Sequence, residues 1–131
     1  MTFRQPALLL IATAMVAAAM LNALVACGDS KYQPPAIVVT FSTEFPPPTA
    51  LQTDATAGIA AVVANDPANA GVNFTCVPTE QCCTFSPNPV ASNVPTTYQA
   101  PATVPTGGTV TVTATSVTDT TKSVSATITI D

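Results

Sequence analysis

Over most of its length the chain alternates apolar and polar residues with period two, the spacing at which successive side chains of a strand turn to opposite faces. Ile37, Val39 and Phe41 make the first apolar row. Pro46-Pro47-Pro48 ends it, because three residues without a backbone N–H have no place inside a sheet. Ile59, Ala61 and Val63 make a second row, closed by the turn signal Asn65-Asp66-Pro67, and Val72, Phe74 and Cys76 make a third. A short strand is predicted around residues 83–85, closed by Pro87 and Pro89, and another over residues 97–100, carrying Tyr98 between Pro95 and Pro101. The clearest pair comes last. Val110, Val112 and Ala114 alternate with Thr109, Thr111, Thr113 and Thr115, while Val124, Ala126, Ile128 and Ile130 alternate with Ser123, Ser125, Thr127 and Thr129. Residues 117–122 between them have hairpin-loop length, so an apolar-in, hydroxyl-out hairpin is predicted. About seven short strands, with turns roughly every ten residues, predict an all-β, two-sheet antiparallel sandwich.

One stretch departs from this alternation. Residues 7–26 are almost wholly apolar, interrupted only by Thr13 and Asn22, and Arg4 is the sole charged side chain before Asp29. A positive start, an apolar middle and small residues at the end make a secretory signal. The run is also near the length of a spanning helix, about 20 residues. It ends in small residues before Cys27, however, and no basic cluster stands after it as a stop-transfer flank. Leu24-Val25-Ala26-Cys27 resembles the lipobox of bacterial lipoproteins at each of its four positions. The resemblance implies cleavage before Cys27, lipidation of Cys27 and a membrane as partner. Each buried methylene contributes about 0.8 kcal/mol, so the two or three acyl chains of such proteins hold firmly. Among enteric lipoproteins an aspartate directly after the cysteine goes with inner-membrane retention, and Gly28 stands there instead. The expected location is therefore the bacterial cell envelope, the outer membrane rather than the inner, facing periplasm or exterior.

The residues after Cys27, Gly-Asp-Ser-Lys-Tyr-Gln-Pro-Pro, are polar and end in two prolines, the composition of an extended spacer. At roughly 3 Å per residue it keeps the strands close to the bilayer. The chain thus divides into residues 1–26 as a signal peptide, 27–35 as lipidated cysteine and tether, and 36–131 as the β domain.

Charge then narrows the partners. The 131 residues carry three basic and seven acidic side chains and no histidine. Without the leader, Lys31 and Lys122 face all seven acids, two against seven, a net charge of −5. Such a chain has almost nothing with which to neutralise phosphates, so nucleic acid is excluded as a partner. The lack of histidine removes the usual general acid and base. Glu44, Asp54, Asp66, Glu80 and Asp119 are scattered through loops instead of forming a carboxylate pair. Asp66 has a turn-forming role in Asn-Asp-Pro. A loop Ca²⁺ site at Asp66 or Asp119 lacks a spaced run of acidic ligands. Cys76, Cys82 and Cys83 without histidine do not complete a tetrahedral zinc site. The sequence therefore predicts no catalytic residue, no metal site and no cofactor.

Residues 64–74, Ala-Asn-Asp-Pro-Ala-Asn-Ala-Gly-Val-Asn-Phe, together with 97–102 and 109–130, resemble a bacterial immunoglobulin-like (Ig-like) domain. The resemblance spans residues 36–131 and implies an Ig-like sandwich exported from the cytoplasm, with Phe74 where relatives usually carry a central tryptophan. Relatives often carry a cysteine after that aromatic and a second a few residues on, which implies a Cys76–Cys82 disulfide. The alternation sets Cys83 on one face with Phe85 and turns Cys82 to the other, so Cys76–Cys83 is an open alternative. The cysteine left over is expected to be a half-buried small apolar residue. The function implied is that of a lipid-anchored, non-enzymatic module acting in adhesion, recognition or envelope organisation, with an envelope protein or polysaccharide as partner. The alternative is a purely structural subunit or spacer of an envelope assembly. Its contact surface is expected at the loop 44–50, the loop 76–83 or the threonine-rich face. Fold alone does not choose among these.

Overall fold

In the computed structural model, which describes residues 31–81 and 84–131, the alternating rows become strands. The segments read from sequence as signal peptide and lipobox with Cys27, the expected tether up to Ser30, and Cys82 and Cys83 lie outside the described residues. Among the described residues there are nine strands: β1 (Val38–Phe41), β2 (Ala50–Leu51), β3 (Thr56–Ile59), β4 (Ala61–Ala64), β5 (Val72–Val77), β6 (Thr84–Ser86), β7 (Thr96–Gln99), β8 (Thr109–Ser116) and β9 (Ser123–Ile130). The described helical structure is one 3-10 turn, Thr79–Gln81. Pro34–Asp131 forms one compact unit.

The longest sheet runs β2-β9-β8-β5. Its centre is the predicted hairpin, with Thr109 opposite Thr129 and Ala114 opposite Val124, and β5 adds on with Phe74 opposite Ala114. β2 joins at the other side, parallel to the end of β9. On the opposing side β1 pairs with β4, β3 pairs with β7, and β7 pairs with β6, all antiparallel. β3 and β4 are one run of chain that changes partner at Ala60. There the Ala60 N–H donates to the Phe45 carbonyl at 2.9 Å, and the Ser42 N–H donates to the Ala60 carbonyl at 2.9 Å. The segment 42–45 thus fills the gap between the end of β1 and the start of the next pairing. The far edge of β4 is taken by the 92–93 segment, through Asn93 N–H to the Ala61 carbonyl at 2.8 Å and Val63 N–H to Ser92 Oγ at 2.9 Å.

The two sets of strands share one core, so the architecture is a sandwich-like all-β fold. Val39, Ile59, Ala61, Val63 and Tyr98 come from one side, and Val72, Phe74, Cys76, Val110, Val112, Ala114, Ile128 and Ile130 from the other. Phe85 bridges them, its ring 5.5 Å from that of Phe74 and 5.3 Å from that of Tyr98, centroid to centroid. Such aromatic contacts add to the stabilisation from buried area. Burial alternates strictly along β5, where Val72, Phe74 and Cys76 turn inward and Asn73, Thr75 and Val77 outward. Cys76 is held in a disulfide. Its two candidate partners, Cys82 and Cys83, lie outside the described residues.

Candidate functional site

Three surfaces of the domain combine exposure with defined chemistry. The first is the end at which the chain enters. Asn65 Nδ2 donates to the Ala36 carbonyl at 3.0 Å, and Pro34 and Pro35 border a shallow cleft with Val63, Asn65, Asp66 and Pro67. Asp66 organises this end. Its Oδ1 accepts from the Ala68 N–H at 3.1 Å and from the Thr118 hydroxyl at 2.8 Å, and its Oδ2 accepts from the Ala70 N–H at 3.1 Å. The turn 65–71 is thereby tied to the β8–β9 loop 52 residues away. The Thr118 hydroxyl first, then the N–H groups of Ala70, Ala68 and Asn69, hold the Asp66 carboxyl below its ordinary pKa, against a smaller opposing effect of desolvation. Asp119 is lowered likewise by the hydroxyl and N–H of Thr121 and by the charge of Lys122. Both carboxylates are therefore engaged by turn residues, Asp119 within its own loop and Asp66 by its own turn and by Thr118, in keeping with the turn-forming role read for Asp66.

The second surface is the outward face of β5, β8 and β9. Register places Thr75, Thr113 and Ser125 in one row across the three strands, with Asn73, Thr115 and Ser123 on one side of it and Val77, Thr111 and Thr127 on the other. Thr113 Oγ1 and Ser125 Oγ share a hydrogen bond at 2.8 Å. No side chain in these rows is charged. The face offers hydroxyl donors and acceptors interleaved with methyl groups, which suits a neutral hydrogen-bonding partner.

The third surface is the opposite end. Here the Thr106 N–H donates to Gln81 Oε1 at 3.0 Å, and the Ile130 N–H donates to the Gly108 carbonyl at 2.8 Å. A shallow depression of about 400 Å³ is lined by Val77, Pro78, Thr79, Gln81 and Thr106. Val77 and Val104 stand about half exposed, at 54% and 51%.

Of the contact surfaces expected from sequence, the described part of the 76–83 loop falls at this far end and the threonine-rich face forms the flank. The 44–50 segment carries the chain across from β1 to β2. One residue with a defined role has no clear signal in the sequence. Asn88 sits in a proline-rich stretch, yet its carboxamide accepts from the Phe74 N–H at 2.9 Å and donates to the Phe74 carbonyl at 2.8 Å. Only its position between Pro87 and Pro89 hints at anything beyond a loop polar residue. No family model, curated protein or solved structure matches the chain.

Proposed function

We propose that this chain is a lipid-anchored, non-enzymatic Ig-like module of the bacterial envelope, acting by recognition through its exposed surfaces. The observation that carries the Ig-like part is strand order. Lettered in chain order, with β3 and β4 together as B, one side reads A-B-E-D as β1, β3/β4, β7 and β6. The other reads G-F-C as β9, β8 and β5, with β2 added outside G. This order matches that of a constant-type immunoglobulin sandwich, which supports the Ig-like reading. Phe74 on strand C fills the centre of the core, at 2% exposure, where a tryptophan stands in the family that the sequence resembles. A disulfide from Cys76 to Cys82 or Cys83 braces the chain beyond strand C, and an exported compartment suits it.

The anchoring part rests on Leu24-Val25-Ala26-Cys27, the apolar run before it and the short tether after it. Because the chain enters the sandwich beside Asn65, that end is the one nearer the bilayer. The flank of threonines and serines and the far end around Val77 and Val104 then remain open to a partner. The flank carries no charge, so a neutral polysaccharide or an uncharged protein surface is the matching chemistry.

Membrane fractionation and intact mass of the expressed chain beside a Cys27→Ser variant test this reading. The expected result is a membrane-bound wild type that has lost its leader and gained acyl-sized mass, with the variant neither processed in that way nor retained by lipid. Unmodified masses for both proteins, differing only by the exchange of sulfur for oxygen, would exclude a lipid anchor.

A further inference from the structure

Sheets grow at their edges, because the outward N–H and C=O groups of an edge strand template another strand. β5 is an edge of its four-stranded sheet and is six residues long. The outward groups at Val72 and Phe74 are nonetheless all occupied. Val72 exchanges both of its hydrogen bonds with Val90, at 2.7 and 3.0 Å. At Phe74 the partner is a side chain, the Asn88 carboxamide, which accepts at 2.9 Å and donates at 2.8 Å. A carboxamide presents the same donor and acceptor as a peptide group, so Asn88 copies one rung of an antiparallel ladder. An ionised Asp has no donor, and a Gln is one methylene longer. The segment that supplies Asn88 is a poor template itself, because Pro87 and Pro89 carry no N–H. The same Pro89 nitrogen cannot attack the Asn88 amide as an ordinary backbone N–H nitrogen does in deamidation.

We infer that Asn88 is a strand surrogate that closes the β5 edge against pairing with a second copy of this chain. Antiparallel pairing of two β5 strands about a twofold axis uses the same groups from each copy, so an edge opened in one molecule is matched by an identical opening in the next. The strand Val-Asn-Phe-Thr-Cys-Val carries no charge to oppose that approach. Among the described residues, those around Asn88, namely Phe74, Thr75, Cys76, Thr79, Thr84 and Phe85, likewise include no carboxylate or amine.

The test compares the full chain in mild detergent as wild type, Asn88→Ala and Asn88→Asp, by amide hydrogen exchange and sedimentation. In Asn88→Ala the Phe74 amide should exchange about ten-fold faster or more, with the amides of Val110 and Val112 in β8 unchanged. The protein should also form dimers whose fraction rises with concentration, while the wild type stays monomeric. In Asn88→Asp the edge should open at neutral pH. At about pH 3 the protonated carboxyl regains a donor, so that variant should return to the monomer and to wild-type exchange measured at the same pH. If Asn88→Ala fails to fold, raising the pH on Asn88→Asp opens the same edge from a closed starting state. Unchanged Phe74 exchange overturns the inference, and so do monomeric variants with an opened edge, a wild type that dimerises equally, or association of Asn88→Asp that acid does not reverse.

Discussion

At Gly71 two constraints coincide. Its φ of +91° lies where L side chains are rarely found, and a Cβ there would run into the Val90 carbonyl oxygen. That oxygen accepts from the Val72 N–H, so the glycine lets the chain close tightly just before β5 begins. Gly71→Ala should destabilise the domain by about 2–4 kcal/mol, measured as a shift in urea midpoint, since it adds backbone strain to a collision with main chain that cannot swing aside. Asp66 gives a prediction in pH. Its folded pKa lies below the unfolded value, so its contribution is fully present above about pH 4 and is lost as pH falls through the folded pKa. The difference in urea midpoint between wild type and Asp66→Ala should therefore be largest near neutrality and shrink in acid. The role of Asp66 in its turn was legible from Asn-Asp-Pro. Its bond to Thr118 was not, because nothing local encodes a partner 52 residues away.

Among the elements, legibility followed the local pattern. The hairpin of β8 and β9 and the row along β5 were plain because each alternates over six or eight residues with one face buried. The row of Ile59, Ala61 and Val63 read as a single strand, but Ala60 is also fully buried, since the chain changes partner there and both of its sides are covered. β2 had no signal at all. Two residues cannot show a period, and Ala50 and Leu51 are extended because the end of β9 offers them hydrogen bonds. The strand predicted over residues 97–100 lies one residue earlier, Thr96–Gln99, and Thr96 is buried although polar. Its hydroxyl is satisfied by the Pro87 carbonyl at 2.6 Å, a contact between segments that alternation does not encode. The reading of Leu24-Val25-Ala26-Cys27 as a lipobox rests on a different class of signal, resemblance, with no use of alternation.

At the scale of the molecule, the two ends differ in what they offer. The entry end is tied together by Asp66, Thr118 and Asn65, and the far end gathers Gln81, Thr106 and the carbonyl of Asp131. If the chain hangs from Cys27, nitroxide-bearing lipids in a bicelle should broaden the amide resonances of residues 66–70 and 117–121 more than those of residues 103–108. Equal broadening at both ends would show that the domain has no preferred orientation on the bilayer.

The small parallel strand β2 carries a mechanical consequence. The chain before it leads back through β1, and β9 beside it ends near Asp131 at the far end, joined through the Thr129 N–H to the Thr49 carbonyl and the Asp131 N–H to the Leu51 carbonyl, each at 3.0 Å. Tension applied between the start of β1 and Asp131 loads the pairing of β1 with β4 first, and beyond it draws β2 and β9 along their length in opposite directions. Their hydrogen bonds then bear the load together instead of opening one after another, so a strand of two residues stands as a second barrier on the path of such a force.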